Sequence, residues 1–205
     1  MHPEHFGIQG MKRIDAIILA AGLSRRMGEP KLLLPWDQTT VLGATLANVL
    51  ASNVQQVVVV TGGYRPKITP IIDHSSRITA VHNPDFATGE MLSSLKVGIA
   101  ALSAETDGCL IMLGDMPLLM PETINLVAAA LQTHELVAPV YAGRRGHPVG
   151  YGRNIFPQLL NLPPDGAPRD LMRAQRDQLH LLEVDTESIL IDLDTREAYE
   201  TWRPR

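Results

Sequence analysis

The sequence is short of cysteine, of long hydrophobic runs and of any strong excess of one charge. It has 205 residues and a single cysteine, Cys109. A lone thiol excludes an internal disulfide and favours a reducing compartment, so we expect a cytoplasmic protein in which Cys109 is buried and inert. No stretch of about 18 or more apolar residues occurs, which predicts no membrane-spanning segment.

The formal net charge of -4 excludes the basic surplus that general nucleic-acid binders carry. We therefore expect neither a nucleic-acid nor a membrane partner. The first residues, MHPEHFGIQG, lack the apolar core of a signal peptide, and we expect residues 1–11 to form a loose extension. A hydrophobic fraction of 45% suits one globular domain with a sizeable core, which we place at residues 12–205.

Short apolar runs alternate with amphipathic stretches along the chain. The stretches TVLGATLANVLASN, GEMLSSLKVGIAAL and PETINLVAAAL have helical spacing. Strands alternating with helices predict an α/β protein with a mostly parallel sheet and helices on both faces. We expect a further strand at SILI and an irregular cleft wall over residues 143–168. The runs predicted to form buried strands are residues 16–21, 56–62, 108–115 and 136–141.

The loop after the first predicted strand, GLSRRMGEPK, combines small residues with basic ones. In such sheets ligands bind beyond the carboxyl ends of the strands. Gly22 allows close approach to the backbone, whose N–H groups can cradle phosphate, while Arg25 and Lys31 supply positive charge. The loop has no GxxxxGK[ST], GxGxxG or GxSxG pattern. We predict phosphate binding here, and the alternative is a solvated basic turn.

Two carboxylates follow later apolar runs. Asp115 ends the run GCLIMLGD, a sound position for Mg²⁺, which prefers one or two carboxylates together with phosphate oxygens and water. The alternative for Asp115 is a cap of the helix that begins near Pro121. Asp194 stands before REAY, where either it caps a helix with Thr195 or it is a second metal ligand.

Two further segments carry polar side chains that are candidates for ligand binding. HNPDFATGEMLSSL contains Asn83 and Ser94, for which we predict base or ribose recognition, with helix capping as the alternative. RRGHPVGY contains Arg145 and His147, candidates for binding a second, anionic substrate. The histidines do not show zinc-type spacing with the cysteine.

These segments together resemble the nucleotidyltransferases of the molybdenum-cofactor type. LAAGLSRRMGEPKLLLP is similar to that family's pattern LAAGxSxRMGxxKxLLP, and TGG, NPDFATGEMLSSL, LGDMPLL, GHPV and DLDTREAY follow in the family's order. The resemblance covers nearly all of the chain from Lys12 onward. It is closest to the cytidylyltransferase branch, because the guanylyltransferase branch more often has LAGG where this chain has LAAG.

The resemblance implies a three-layer, Rossmann-like fold of the nucleotide-diphospho-sugar transferase type and Mg²⁺-dependent transfer of CMP from CTP to molybdopterin or its molybdenum form, with release of pyrophosphate. Pro168 interrupts the family's GDxGAR-like run, so no role follows for Asp165 or Arg169. The implied site residues are Gly22, Arg25 and Lys31 at the triphosphate, Leu19, Ala20, Ala21, Gly62 and Ser94 around the base, Asp115 and Asp194 at the metal, and His147 at the pterin substrate.

Two other functions remain open on the sequence. One is a nucleotidyltransferase that uses another nucleoside triphosphate or a small sugar or alcohol phosphate. The other is a non-catalytic carrier that delivers the finished molybdenum cofactor to an apo-molybdoenzyme. A carrier has no need of a metal-binding carboxylate such as Asp115, so we favour the enzyme, for which an apo-molybdoenzyme is a further candidate partner.

Overall fold

The computed structural model describes residues 10–24, 27–72, 74–88 and 91–204. Residues 1–9 of the expected extension lie outside these ranges, while Met11 is exposed coil before the first strand. The strands are β1 (Ile14–Ala20), β2 (Pro35–Trp36), β3 (Thr39–Thr40), β4 (Val57–Thr61), β5 (Ile78–His82), β6 (Gly108–Leu113), β7 (Leu136–Tyr141), β8 (Arg144–Arg145), β9 (Val149–Gly152) and β10 (Leu179–Glu183).

The strands alternate with helices, as the hydrophobic pattern predicts. Short 3-10 helices cover Lys31–Leu33, Arg153–Ile155 and Glu187–Leu190. No helix within the described ranges is both long enough and apolar enough to cross a membrane. The α-helices are α1 (Val41–Ala51), α2 (Arg65–Ile72), α3 (Met91–Ala100), α4 (Pro121–Ala130), α5 (Phe156–Leu160), α6 (Pro168–Ala174) and α7 (Arg196–Trp202).

The main sheet has eight strands, in the order β10-β7-β9-β6-β1-β4-β5, with β8 paired to β7. Strands β5, β4, β1 and β6 run parallel, as do β7 and β10, while β9 is antiparallel to both of its neighbours. The central strands β1 and β4 are almost fully buried because helices cover both faces of the sheet. The predicted α/β class and mostly parallel sheet are confirmed.

The core consists of one apolar layer on each face of the sheet. On one face, side chains of α1, α2 and α4 pack against β1, β4 and β6. On the other face, α3, α5 and α6 pack against the same sheet and β9. This helix–sheet–helix arrangement is the three-layer architecture that the resemblance implies. It leaves the carboxyl ends of the parallel strands open at one edge, where ligands of such sheets bind.

The expectation of an irregular segment over residues 143–168 was wrong. This stretch contains β8, β9 and α5, and β9 lies inside the sheet between β6 and β7. The glycines that suggested irregular structure serve close packing in the strand. A β-carbon at Gly152 would lie 2.1 Å from Oε2 of Glu135, and one at Gly150 would lie 2.9 Å from Leu131.

The predicted strand at SILI was also wrong, because Glu187–Leu190 forms a 3-10 helix. The hydroxyl of Thr186 accepts a hydrogen bond from the backbone N–H of Ser188 and turns the chain at that point. The apolar side chain of Ile189 is nevertheless fully buried. A short apolar run is therefore compatible with either conformation, and the capping hydroxyl decides between them.

Candidate active site

The parallel pairing of β1 with β6 sets the frame of the site. Leu19 on β1 is paired with Leu113 on β6, and the backbone N–H of Gly114 donates to the carbonyl oxygen of Leu19 at 3.0 Å. The loop after β1 and the residue Asp115 after β6 therefore leave the sheet side by side. The sequence predicted this juxtaposition from the shared direction of the strands.

Three carboxylates meet beside this loop. Oxygens of Asp115, Asp192 and Asp194 all lie within 4.8 Å of one another. The backbone N–H of Leu193 donates to the carbonyl oxygen of Asp115 at 3.1 Å, which fixes the C-terminal segment against the end of β6. The segment thus brings its two aspartates to a strand end that is distant in sequence.

Lys31 places its ammonium between two of these carboxylates. Nζ lies 2.6 Å from Oδ1 of Asp194 and is also hydrogen bonded to Oδ2 of Asp115. The side chain of Lys31 is only 17% exposed and that of Asp115 only 3%. A solvated basic turn, the alternative considered for this loop, therefore does not describe Lys31.

The protonation of the cluster follows from burial and charge. Burial alone would lower the pKa of Lys31, but the carboxylates of Asp115 and Asp194 outweigh it and hold that pKa above its usual value. Burial, together with the charges of Asp115 and Asp194, raises the pKa of Asp192. The cluster thus combines a firmly protonated ammonium with crowded carboxylates.

This donor set fits a divalent cation. Hard cations such as Mg²⁺ and Mn²⁺ prefer carboxylate oxygens, and three carboxylates in one place repel one another unless positive charge lies between them. Lys31 supplies that charge in the structure. Asp115 does not cap α4, because the residue before Pro121, Met120, holds the cap position.

The carboxylate cluster lines a cavity of about 280 Å³, which we call the carboxylate cavity. Gly22, exposed, offers backbone to it without a side chain in the way. Ala20 is instead buried in the core behind the loop. The other lining side chains are Leu19, Ala21, Lys31, Leu32, Phe86, Met91, Ser94, Leu113, Asp115, Asp192 and Asp194.

Gly62 supports the carboxylate cavity from behind. A β-carbon at this position would lie 2.3 Å from the carbonyl oxygen of Ala21 and 2.8 Å from Cβ of Phe86. Neither distance is compatible with a side chain, so the absence of one lets the end of β4 lie directly against the loop after β1. The backbone of Ala21 and Cβ of Phe86 thus lie directly against Gly62.

Asn83 and Ser94 are adjacent but differ in their access to the cavity. The side-chain amide of Asn83 donates to the hydroxyls of Ser93 and Ser94, each at 2.9 Å, and its oxygen accepts from the backbone N–H of Asp85 at 3.0 Å. Asn83 is 1% exposed and does not line the cavity, whereas Ser94 does. In the structure Asn83 orients Ser94.

A second cavity, of about 410 Å³, opens on the α3 face of the sheet, and we call it the arginine cavity. It is lined by Arg145, His147 and Arg169 together with apolar side chains of the sheet, α3 and α6. Leu19 and Met91 line both cavities, so the two spaces adjoin. Arg145 and His147, predicted for a second substrate, therefore lie together and next to the carboxylates.

His147 is held as a neutral ring. Burial lowers its pKa below the usual value, although the carbonyl of Ile111 and the charges of Asp115 and Asp192 act in the opposite direction. Nδ1 lies 3.2 Å from the carbonyl oxygen of Ile111, which can only accept a hydrogen bond. Nδ1 therefore carries the proton, and Nε2 is left as an acceptor.

Sequence reasoning did not assign Asp192, Phe86 and Arg169 to the site. Asp192 is two residues before Asp194, and the carboxylate pair was the available signal. Phe86 carried no signal beyond its position in NPDFATGE. Arg169 had been left without a role, yet it lines the arginine cavity from the first turn of α6. Arg25, predicted for the triphosphate, lies outside the described residues.

Comparison with known proteins identifies relatives of the whole chain. Residues 16–179 match the MobA-like NTP transferase domain. The chain is 31% identical over 195 residues to the molybdenum cofactor cytidylyltransferase of Escherichia coli strain K12, an alignment that covers 95% of this chain and 98% of that protein.

Solved structures extend the likeness to three dimensions. The crystal structure of Rv0371c from Mycobacterium tuberculosis H37Rv has a TM-score of 0.82 and 30% identity, covering 93% of this chain and 97% of that one. A second structure, Rv0371C in complex with manganese, has a TM-score of 0.77 and 28% identity over 93% of this chain and 97% of the other.

Proposed function

The chain belongs to the MobA-like NTP transferase domain family and is a nucleotidyltransferase, and on that premise we propose that it transfers CMP from CTP to molybdopterin or its molybdenum form. The observation that carries the proposal is the cluster of Lys31 with Asp115, Asp192 and Asp194 at the junction of two adjoining cavities. One cavity would hold the nucleotide, and the other would hold the acceptor.

The reaction needs no proton acceptor. An oxygen of the acceptor's ionised phosphate forms a bond to the α-phosphorus of CTP, and the bond from that phosphorus to the bridging oxygen of the β-phosphate breaks. Pyrophosphate leaves with the electron pair. The task of the protein is to align these groups and to offset their negative charge. The absence of a nucleophile elbow pattern in the sequence is consistent with such a direct transfer.

Asp115 and Asp194 would hold Mg²⁺, with Asp192 beside them. The chemistry that Mg²⁺ supplies is neutralisation of charge on the triphosphate as it develops in the transition state. The manganese in the structure of Rv0371C from M. tuberculosis supports a divalent cation for the family. The oxygen-only donor set of these aspartates supports the same choice.

Lys31 would act on the phosphates. In the structure its ammonium is paired with Asp115 and Asp194, and it lines the carboxylate cavity. When the nucleotide binds, this ammonium would exchange carboxylate oxygens for oxygens of the leaving pyrophosphate. Arg25, in the same loop of the sequence, would add a planar donor suited to phosphate.

The loop of residues 19–22 would receive the base. Ala21 and Gly22 line the carboxylate cavity, and Ser94, oriented by Asn83, lies on its α3 side. The methyl group of Ala21 takes up space that a glycine would leave free, which favours the smaller cytosine over guanine. The E. coli cytidylyltransferase among the relatives supports the same base.

The arginine cavity would receive the acceptor. Arg145 and Arg169 offer positive charge to a phosphate, and neutral His147 offers an acceptor nitrogen. His147 is close enough to Asp115 and Asp192 for their charges to act on its pKa. A phosphate bound between these groups would therefore lie near the reacting nucleotide.

The alternatives predict other acceptors or no turnover. A panel assay of pyrophosphate release with CTP, Mg²⁺ and either molybdopterin, a sugar phosphate or no acceptor separates them. We expect pyrophosphate release only in the reaction that contains molybdopterin as the acceptor. Release with the sugar phosphate instead would identify the other kind of nucleotidyltransferase, and tight molybdopterin binding without release would identify a carrier.

Residues 12–205 would act as one domain in a cytoplasmic enzyme. An apo-molybdoenzyme would receive the finished cofactor.

A further inference from the structure

The arginine cavity contains one polar side chain that the proposed reaction does not use. Tyr151 lies in β9, where it is paired with Cys109 of β6 and Leu136 of β7. It is 2% exposed, and it lines the cavity together with Leu92, Ile111 and Val149. Its ring belongs to the apolar layer beneath α3 and α5. The hydroxyl is thus a single polar group in an apolar part of the cavity.

Within the part of the chain that the structure describes, the hydroxyl of Tyr151 has no hydrogen-bond partner. In residues 10–24, 27–72, 74–88 and 91–204, no backbone or side-chain group is hydrogen bonded to it, and the oxygen itself is not fully enclosed, so it is open to the cavity. Buried tyrosines usually satisfy their hydroxyl. Tyr199 donates to the carbonyl oxygen of Pro35 at 2.6 Å, and Tyr64 donates to that of Leu23 at 3.1 Å. Tyr151 is more buried than Tyr199, yet its hydroxyl makes no such hydrogen bond to a described residue.

The protonation state of the Tyr151 hydroxyl follows from its burial. Burial raises the pKa of Tyr151 above its usual value, and Arg145 acts in the opposite direction without reversing the shift. The hydroxyl therefore keeps its proton at neutral pH and can both donate and accept a hydrogen bond. A ligand atom of either kind in the cavity can satisfy it.

The rest of the cavity limits what the ligand can be. Leu92, Ile111 and Val149 offer flat apolar walls near Tyr151, which suit the faces of a planar ring. Arg145 and Arg169 are exposed, so they offer positive charge at the rim of the cavity, and the charge of Arg145 also acts on the hydroxyl of Tyr151. The cavity thus has mostly apolar walls, the hydroxyl of Tyr151 and the ring of His147 as hydrogen-bonding groups, and positive charge at its rim.

We propose that Tyr151 is a specificity-determining residue of the acceptor site, whose hydroxyl hydrogen bonds the edge of a planar heterocycle while Arg145 and Arg169 hold that molecule's phosphate. This assignment rests on the proposed function, because it places the acceptor in the arginine cavity. It identifies the acceptor class as a heterocycle that carries a phosphate. A sugar phosphate has no flat face to place between the apolar walls, so it fits less well.

The test compares Tyr151→Phe with the wild type, using a fluorescent pterin monophosphate as the acceptor probe. Loss of the hydrogen bond to a buried group should raise the dissociation constant for the probe about tenfold. The dissociation constant for CTP with Mg²⁺, measured on the same samples, should stay unchanged. Tyr141→Phe is the matched control, because Tyr141 packs on the opposite face of the sheet and lines neither cavity.

The melting temperature separates a ligand-binding hydroxyl from a structural one. Removing a hydroxyl that no described group of the protein binds should leave the melting temperature of Tyr151→Phe unchanged or higher. A clear fall in melting temperature would show that the hydroxyl has a structural partner and would overturn the assignment. Equal probe binding by the variant and the wild type would also overturn it while leaving the proposed function intact. If neither protein binds the probe, the acceptor class fails, and the role of Tyr151 fails with it.

Discussion

Single side chains matter most where Lys31 meets Asp115, Asp192 and Asp194. Each of these charged groups would destabilise the folded protein if its partners were removed. Like charges at this distance repel, and an ionised carboxylate as buried as Asp115 is poorly solvated. The ammonium of Lys31 relieves both effects in the structure. The same arrangement prepares the carboxylates for a divalent cation, because their oxygens are already close together.

Replacing Asp115 by asparagine should nearly abolish turnover while the fold persists. The change removes one anionic ligand from the proposed metal site and should lower the turnover number by about 1000-fold. Steady-state kinetics with Mg²⁺ and circular dichroism measure the two quantities. Asp177→Asn is the control, because that carboxylate is exposed and lines neither cavity. A folded Asp115→Asn enzyme with normal turnover would show that Asp115 has no part in the reaction.

Replacing Lys31 by alanine should lower both the stability and the rate. Without metal, Asp115 loses a buried partner, and the free energy of unfolding should fall by about 3 kcal/mol. Added Mg²⁺ should restore much of this loss, because it binds the folded state at the vacated carboxylates. With Mg²⁺ present, the turnover number should fall more than the affinity for CTP.

Urea denaturation with and without Mg²⁺ measures the effect of Lys31→Ala on stability, and Lys67→Ala is the matched control for loss of an exposed lysine. Stability that is equally low in the presence and absence of Mg²⁺ would argue against a cation site at these carboxylates. A single-turnover rate equal to that of the wild type would exclude Lys31 from the chemistry.

At the residue scale, the sequence predicts that segments which follow neighbouring parallel strands meet at one edge of the sheet. The positions of Lys31 and Asp115 beside each other follow from the neighbouring strands that precede them. Arg169 and Tyr151 could not be found in this way. Arg169 reaches its cavity through the packing of α6, and the lack of a partner for Tyr151 is a property of the three-dimensional structure alone.

At the scale of elements, α7 and the segment before it bring the C-terminus to the site. The hydroxyl of Thr195 accepts a hydrogen bond from the backbone N–H of Ala198 and caps the helix. Tyr199 of α7 donates to Pro35 and packs against Trp36, which holds the helix to the loop side of the molecule. Thr195 therefore takes the capping role that the sequence left open between Thr195 and Asp194.

Replacing Thr195 should mainly affect stability, and replacing Asp194 should mainly affect turnover. Thr195→Ala should lower the free energy of unfolding by about 1 kcal/mol, because the cap is lost, with little change in turnover. Asp194→Asn should lower turnover strongly and change stability little when Mg²⁺ is present. Thr195→Ser, which retains the oxygen, serves as the control. If Thr195→Ala reduces turnover as much as Asp194→Asn does, the assignment of separate roles is wrong.

Elements with a regular apolar or helical pattern were predictable, whereas β9 and the 3-10 helix before α7 were not. The buried runs of β1, β4, β6 and β7 and the helical spacing of α1, α3 and α4 are reproduced in the structure. The strand β9 was missed because its glycines suggest loop in isolation. They leave room for the side chains of Glu135 and Leu131, which come from elsewhere in the chain. Tertiary contacts thus override the local signal.

At the scale of the whole molecule, the sheet places two cavities side by side. Its carboxyl edge supplies the carboxylate cavity, and the antiparallel β9 supplies part of the wall of the arginine cavity on the α3 face. Leu19 and Met91 separate the two spaces. Two bound anions would meet there beside the carboxylate cluster, which is the arrangement that a direct transfer between two substrates requires.

The shape of the carboxylate cavity predicts the choice of base. CTP should bind at least about tenfold more tightly than GTP, a difference of about 1.4 kcal/mol. The physical reason is the room taken by the methyl group of Ala21, so Ala21→Gly should reduce the preference. Calorimetric titration of both nucleotides with Mg²⁺ measures it. Tighter binding of GTP by the wild type would move the protein to guanylyl transfer.

The most direct test of the account follows the α-phosphorus of CTP. The purified protein is incubated with molybdopterin, Mg²⁺ and CTP labelled at that phosphorus, and the products are separated. We expect the label to move to a molybdopterin–cytosine dinucleotide and unlabelled pyrophosphate to be released in equal amount, and we expect Asp115→Asn to give neither product. Label that stays in CTP or appears only as free CMP, under conditions in which molybdopterin is bound, would contradict this expectation.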